Sequence, residues 1–173
     1  NVPDVQFDFY IHPMSLPRIF GTTLDNIPNA PYLKADPAIA NKFKEEFNTK
    51  DLKIGIVWAG NPEQDNDRNR STTFEKFKVL NEIPGIKFFS LQKGEASKQL
   101  NDIKVKDMGE QINDFADTAS IIENLDLVIS VDTSVAHLAG AMGKPTWVLL
   151  CSKADWRWLL DRKDNPWYPS MRL

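Results

Sequence analysis

The sequence predicts an α/β fold, an open parallel sheet with helices on both faces. Short apolar runs with the length of buried strands alternate with stretches of helical periodicity, and polar, turn-rich loops follow the runs. The composition agrees, since 42% hydrophobic residues and a net charge of -3 over 173 residues are typical of a globular chain with a core. We therefore expect a chain that folds without disulfides or metals.

Residues 1–50 are predicted to be the tail of an N-terminal lobe and a linker with one helix. Prolines in the first part of this segment prevent long helices. They are Pro13, Pro17, Pro28 and Pro31. The helix is expected to begin at Pro37 with Asp36 as its N-cap, because apolar residues then recur at every fourth position.

Residues 51–154 are predicted to form the main domain, in which strands and helices alternate. The expected strands span residues 52–58, 86–91, 103–105, 126–131 and 146–150. The expected helices span residues 73–82, 115–125 and 133–142, and the first of them turns Phe74, Phe77 and Leu80 inward. Repeats of strand, helix and strand build parallel sheets.

Residues 155–173 form an aromatic C-terminal segment that contains three of the five tryptophans. Large aromatic side chains at this density indicate a surface that covers another surface. We expect the segment to pack back on the sheet or on a missing lobe. A platform for carbohydrate is the alternative.

Counts of residue types exclude several classes of protein. The only cysteine, Cys151, cannot form an internal disulfide, and no apolar run approaches the roughly 20 residues that cross a bilayer. A mildly acidic chain without a basic block is not expected to have nucleic-acid binding as its main function. His12 and His137 are the only histidines, so we predict no metal site.

The N-terminus indicates where the protein works. Residues 1–10 show no secretory signal, and we expect a cytoplasmic protein without a membrane span. Because the chain begins at Asn1, we interpret it as part of a longer protein.

The most informative segment runs from Leu127 to Pro145, where an apolar strand ends in a hydroxyl-rich turn. Asp132, Thr133 and Ser134 form the turn, and His137 follows one helical turn later. Free backbone N–H groups, the helix dipole and the hydroxyls predict an anion site at the carboxyl edge of the sheet. The alternatives are a plain N-cap with a partly buried histidine, and a serine hydrolase, which would need a Gly-x-Ser-x-Gly elbow that is absent.

The loop after the first strand, residues 59–71, ends at the same edge. It contains Gly60, Asn61, Asp65, Asp67, Arg68, Arg70 and Ser71. Asp65-Asn66-Asp67 is an Asp-x-Asp, a pattern that can hold a divalent ion and a nucleotide diphosphate. Asp65, Asp67 and Asn69 also begin like a calcium loop, but the sixth position of that loop is Arg70 rather than Gly and the twelfth is Lys76 rather than Glu. A solvated polar loop is the simpler interpretation of the acidic residues.

Lys93 follows the second strand, within the segment from Ser90 to Glu95. A lysine at this edge can neutralise a phosphate group. A surface lysine beside a glycine turn is the alternative.

Five ordered motifs resemble a known family. Residues 132–145 resemble the donor-site motif of glycosyltransferase family 9, the ADP-heptose:lipopolysaccharide heptosyltransferase-like group. Residues 57–62, 90–94, 114–119 and 155–160 extend the resemblance to the C-terminal region of bacterial tetratricopeptide-repeat proteins that carry a glycosyltransferase-like domain.

The resemblance implies a GT-B architecture of two Rossmann-like lobes, of which this chain is the C-terminal half. Residues 51–154 would bind a nucleotide-diphosphate sugar as donor substrate, with no other cofactor. Asp132, Thr133, Ser134 and His137 would hold the diphosphate, Lys93 would approach a phosphate, and Gly60, Asn61, Arg70 and Ser71 would border the cleft. Ser134 departs from many heptosyltransferases, which have glycine there.

The function that the resemblance implies is sugar transfer with inversion and without a metal. The acceptor would be a glycan, a lipid-linked sugar or a protein, and the catalytic base would lie in the missing N-terminal lobe. This chain alone is therefore expected to be inactive. The alternative is an inactive glycosyltransferase-like module that serves as a binding or scaffold unit in contact with tetratricopeptide repeats. A dinucleotide enzyme is disfavoured, because no Gly-x-Gly-x-x-Gly follows Trp58.

Overall fold

The structure is a computed structural model that describes residues 6–102 and 104–173. Its strands are β1 (Leu52–Val57), β2 (Ile86–Ser90), β3 (Lys106–Asp107), β4 (Leu127–Val131), β5 (Thr146–Leu149) and β6 (Met171–Arg172). Its α-helices are α1 (Leu16–Ile19), α2 (Pro37–Phe43), α3 (Asp67–Arg70), α4 (Phe115–Glu123) and α5 (Ser134–Ala141). Short 3₁₀ helices connect these elements.

All six strands pair in parallel, in the order β3-β2-β1-β4-β5-β6. Apolar residues cover both faces of the sheet. One cluster joins it to α4 and α5, and a second joins the opposite face to Phe74 and Phe77. The predicted α/β fold, an open parallel sheet with helices on both faces, is confirmed.

The strand order reverses between β1 and β4. The chain leaves β1 toward the face that carries Phe74 and Phe77, and it leaves β4 toward the face that carries α5. The loops after these two neighbouring strands therefore diverge and leave a crevice at the carboxyl edge. Open α/β sheets bind their ligands at this kind of switch point.

The helix starts follow the capping residues. Asp36 caps α2 by accepting from the N–H of Ala38, as the sequence predicted, and Asp114 caps α4 by accepting from the N–H groups of Ala116 and Asp117. These carboxylates satisfy amide groups that have no partner inside the helix.

The predicted helix over residues 73–82 is a 3₁₀ helix, Phe74–Glu82. Its inward residues, Phe74, Phe77 and Leu80, are spaced by three, and all three pack in one core cluster. A helix with three residues per turn aligns this spacing on one side, which explains the tighter form.

The third strand differs from its predicted position at residues 103–105. It consists of Lys106–Asp107, which pair with Phe89 and Ser90, and Ile103 lies outside the described residues. Val105 is buried, but its N–H closes a turn on the carbonyl of Asp102 instead of joining the sheet.

The C-terminal segment supplies a strand that the sequence pattern did not predict. Met171 and Arg172 form β6 beside Thr146 and Trp147 of β5. Trp158 and Met171 are buried with Ala136 and Val148 in a third apolar cluster. The segment from residue 155 onward therefore adds an edge strand to the sheet and packs against α5 and β5.

The N-terminal segment contrasts with it. Residues 13–19 form a 3₁₀ turn and α1, and no residue between 6 and 25 is buried. Phe7, Phe9 and Phe20 expose most of their surface. Within residues 6–102 and 104–173, the structure has no helix that is long and apolar enough to cross a membrane.

Candidate functional site

A cavity of about 860 Å³ opens at the carboxyl edge of the sheet. The loops after β1, β2 and β4 meet around it. Seven of the nine predicted site residues line it: Gly60, Asn61, Arg70, Ser71, Lys93, Thr133 and Ser134. Parallel strands end at one edge, so residues far apart in the sequence come together here.

A chain of hydrogen bonds organises the loop after β1. The N–H of Gly60 donates to Ser71 Oγ (2.8 Å), and the Ser71 hydroxyl donates to Asp67 Oδ1 (2.7 Å). Arg70 Nε donates to the same carboxylate oxygen (3.0 Å), and Arg70 Nη1 donates to the backbone carbonyl of Asp132 (2.9 Å). The guanidinium therefore ties the loop after β1 to the loop after β4.

Asp67 corrects the sequence interpretation of these acids as solvated. Its side chain is only 14% exposed and is paired with Arg70. Asp65 is exposed, so the two acids of the Asp-x-Asp are used differently. In the part of the chain that the structure describes, no group of three or more His, Cys, Asp or Glu side chains could hold a metal ion.

Gly60 and Asn61 begin this loop. A Cβ atom at residue 60 would lie 2.4 Å from Arg70 Nη2 and 2.9 Å from Asp67 Oδ1, so only glycine lets the guanidinium approach. Asn61 is exposed, and its Oδ1 accepts from the N–H of Glu63 at 3.1 Å.

Gln92 is a structural residue of the site that sequence reasoning missed. Its side chain is buried. The amide oxygen Oε1 accepts from the N–H groups of Trp58 (3.0 Å) and Ala59 (2.9 Å). The amide nitrogen Nε2 donates to the carbonyls of Ala59 (2.9 Å) and Lys93 (3.0 Å). Gln92 thus joins the ends of β1 and β2. The available signal was a polar residue inside the motif that singled out Lys93.

Lys93 is exposed at the mouth of the cavity. Its ammonium group donates to the backbone carbonyl of Ile112. One carbonyl does not use all three donors of an ammonium group, so Lys93 can still approach a ligand.

Helix α5 begins at the cavity without a side-chain cap. Thr133 is its N-cap residue, but the Thr133 hydroxyl lies 3.0 Å from Ser130 Oγ instead of bonding to the first-turn amides. Ser134 is exposed. The positive end of the helix dipole therefore faces the space between the two loops.

A second cavity, of about 500 Å³, lies on the other side of this turn. Asp132 and His137 line it, and Arg70, Thr133 and Ser134 line both cavities. The predicted residues therefore form two groups. Lys93 belongs to the first cavity and His137 to the second, so these two side chains do not face one another.

His137 has a partner on each side. Its ring stacks on Trp158 at a centroid distance of 5.0 Å, its Nδ1 lies 3.2 Å from the Tyr168 hydroxyl, and its Nε2 lies 3.6 Å from Asp132 Oδ1. Among the described residues, His137 makes no hydrogen bond or ion pair with Ser134, as a serine hydrolase would require. Trp158 and Tyr168 were not predicted as site residues, because they follow His137 by more than twenty positions.

The electrostatics favour an ionised Asp132. Burial by itself raises the pKa of this carboxyl, but hydrogen bonding from His137 and Trp158 and the charge of Arg70 outweigh burial and lower the pKa below its usual value. Among the described residues, the Trp158 indole N–H has no partner within ordinary hydrogen-bond distance, but it helps to lower the pKa of Asp132.

Comparisons with known proteins find a similar family, a similar relative and a similar solved structure. The family model described as glycosyltransferase family 9 (heptosyltransferase) matches residues 113–157. Protein FlbA of Caulobacter vibrioides is 26% identical over 152 residues, which are 82% of this chain and 25% of FlbA. The structure of E. coli ADP-heptose LPS heptosyltransferase II superposes with a TM-score of 0.59 at 12% identity, over 82% of this chain and 44% of that chain.

The matches to FlbA and to the heptosyltransferase cover most of this chain but only a minor part of the matched proteins. This chain spans about a quarter of FlbA and less than half of the solved heptosyltransferase. The family match contains α4, β4 and α5, the elements that lead into and out of the turn at residues 132–134.

Proposed function

We propose that this chain, which is similar to glycosyltransferase family 9 over residues 113–157, is the donor-binding lobe of a glycosyltransferase. Its substrate is a sugar activated by a nucleoside diphosphate. The parent protein transfers this sugar with inversion and without a metal ion, and the acceptor and the catalytic base belong to another part of that protein.

The observation that carries the proposal is the convergence of three loops on one anion-binding geometry. Thr133 and Ser134 open α5 without a side-chain cap, and Arg70 and Lys93 bring two cationic side chains to the same cavity. Free N–H groups at a helix start bind phosphate oxygens, and cationic side chains strengthen this binding.

The two cavities suit the two ends of such a donor. Val57, Leu91, Phe115 and Val135 give the first cavity apolar walls that suit a nucleoside. The second cavity is lined mainly by polar and charged side chains, which suit the hydroxyl groups of a sugar. The diphosphate then lies at the turn that both cavities share.

The chemistry follows from this arrangement. An acceptor oxygen attacks the anomeric carbon from the side opposite the diphosphate, and the bond from that carbon to the phosphate oxygen breaks with its electron pair on the diphosphate. The N–H groups of α5 and the side chains of Arg70 and His137 stabilise the charge that develops there. The base on the other lobe takes the proton of the acceptor.

Calorimetric titration of the chain with UDP-, GDP- and ADP-sugars tests the proposal. Two lysine variants are compared, one inside the cavity and one outside it. Lys93→Met should weaken binding of the preferred nucleoside diphosphate by roughly tenfold to a hundredfold, since a hydrogen bond to a charged group contributes about 1.5–3 kcal/mol. Binding of the bare nucleoside should hardly change.

Lys98→Met is the control, because Lys98 carries the same charge, does not line the cavity and pairs with Glu95 on the surface. It should bind like the wild type. If no nucleotide binds at millimolar concentration, donor binding is wrong and the binding-module alternative gains support. Equal losses in both lysine variants would reduce the effect to net charge.

A further inference from the structure

The two ring nitrogens of His137 have different partners. Nδ1 lies 3.2 Å from the hydroxyl oxygen of Tyr168, within hydrogen-bond distance. Nε2 lies 3.6 Å from Asp132 Oδ1, which is longer than a good hydrogen bond and leaves room for another acceptor. Trp158 covers one face of the ring.

These partners determine the tautomer of a neutral His137. A carboxylate at neutral pH only accepts hydrogen bonds, and Asp132 Oδ1 lies 3.6 Å from Nε2, so the hydrogen belongs on Nε2. Nδ1 then accepts, and the Tyr168 hydroxyl must donate to it. Burial and the neighbouring Tyr32 hydroxyl raise the pKa of Tyr168 well above its usual value, so the donor keeps its proton.

We propose that Tyr168 is a positioning residue of this site. Its hydroxyl donates to Nδ1 of His137 and holds the imidazole as the Nε2–H tautomer, which presents a neutral donor to a diphosphate oxygen of the ligand. The part of this proposal that concerns the ligand rests on the proposed function. Tyr168 lies outside residues 113–157, so the family match does not assign it.

Tyr168 is itself held by the C-terminal segment. Asn165 is buried, and its Oδ1 accepts from the N–H groups of Trp167 (2.7 Å) and Tyr168 (3.1 Å). On the other side, Gly140 of α5 makes room for the ring, since a Cβ atom there would lie 2.6 Å from Tyr168 Cγ. The hydroxyl therefore reaches Nδ1 from a fixed backbone.

Without the Tyr168 hydroxyl, a neutral His137 could also adopt the Nδ1–H tautomer. A neutral imidazole carries one hydrogen, and in the Nδ1–H form His137 would present a lone pair to a phosphate oxygen and repel it. Fixing the tautomer removes this form before the ligand binds. Such preorganisation raises affinity without adding a contact to the ligand.

The tautomer is measured on the ligand-free chain by nitrogen NMR of the imidazole at mildly alkaline pH. The wild type should show a hydrogen on Nε2 and an accepting Nδ1. In Tyr168→Phe the Nδ1 signal should shift toward that of a nitrogen without a hydrogen bond. Tyr32→Phe removes the same atom from the neighbouring ring and should leave the His137 signals nearly unchanged.

Two results would overturn the positioning role. One is a hydrogen on Nδ1 of the wild type, whether alone or in a doubly protonated ring. The other is an unchanged Nδ1 signal in Tyr168→Phe. The wild-type spectrum decides the first result even if the variant does not fold.

Ligand affinity provides the second measurement. Tyr168→Phe should weaken nucleoside-diphosphate binding by roughly two- to tenfold, as expected for loss of one neutral hydrogen bond, and should not affect nucleoside binding. In a His137→Ala background the same substitution should have no further effect, since Tyr168 acts through the imidazole.

The two hypotheses fail in different ways. If the wild type binds nucleoside diphosphates and the two substitutions prove additive, the positioning role is wrong and the proposed function stands. If the wild type shows the Nε2–H tautomer but binds no nucleotide, the proposed function and the ligand part of the inference are both wrong.

Discussion

At the scale of single residues, the site depends on two carboxylates, of which the sequence pattern singled out Asp132 but interpreted Asp67 as a solvated acid. Asp67 accepts hydrogen bonds from Arg70 and Ser71 and so positions both side chains. Asp132 lies beside His137, and its backbone carbonyl accepts a hydrogen bond from the guanidinium of Arg70. The donors around Asp132 lower the pKa of its carboxyl below the usual value in spite of its burial.

Asp132 should make the stability of the fold depend on acid pH. Its folded pKa is lowered from an unfolded value of about 3.9, so its stabilising effect is complete above that value and is lost as the pH falls through the folded pKa. Between roughly pH 5 and pH 3, Asp132→Asn should therefore lose less thermal stability than the wild type.

The measurement is Tm against pH by circular dichroism. Asp65→Asn serves as the control, because Asp65 is exposed in the same edge region. It should follow the wild-type curve. Parallel curves for Asp132→Asn and the wild type would show that Asp132 is not the group responsible.

At the scale of elements, α5 is built to lie close to the C-terminal segment. Its small residues Ala136, Ala139 and Gly140 are buried, and Trp158 and Met171 pack in the same region. Gly140 is the position of closest approach, since a Cβ atom there would lie 2.4 Å from Met171 Cε.

Gly140→Ala should destabilise the protein even though alanine is the better helix former. Alanine gains about 1 kcal/mol in an exposed helix, but overpacking a dense core costs about 1–3 kcal/mol. Tyr168 Cγ and Cβ would be 2.6 and 2.9 Å from the new methyl group, and a ring held by Asn165 cannot move away freely.

We therefore expect Tm to fall by a few degrees, measured by calorimetry together with urea unfolding. A rise in Tm would mean that the helix propensity of alanine outweighs the overpacking and that the C-terminal segment moves to make room for the methyl group. The His137 signals in the same variant should shift, since Tyr168 would be displaced.

At the scale of the whole molecule, the two ends of the chain contribute unequally. The C-terminal end adds β6 to the sheet and buries Trp158, Asn165 and Met171. In residues 6–25 nothing is buried, and several apolar side chains there are exposed.

Two truncations should separate these contributions. Removing residues 155–173 should lower Tm by more than roughly 10 °C or abolish cooperative unfolding, because a buried Trp and a buried Met each contribute several kcal/mol. Removing residues 1–25 should change Tm little. Thermal unfolding followed by circular dichroism compares them, and similar losses from both ends would contradict this view of the fold.

The sequence by itself determined the architecture. Apolar runs such as the one at Leu127 and the cap at Asp36 act locally, so the positions of most strands and helices could be read from neighbouring residues. The motif at residues 132–145 indicated the carboxyl edge and the resemblance to family 9. Spacing by three at Phe74, Phe77 and Leu80 was visible too, although its 3₁₀ consequence was not predicted.

The tertiary structure alone decided which side chains meet. Arg70 reaches the carbonyl of Asp132 across 62 positions, and Tyr168 reaches His137 across 31. Gln92 and β6 became visible only once the strands were paired. No local pattern encodes such contacts, because their free energy depends on distances between segments that only the packed sheet brings together.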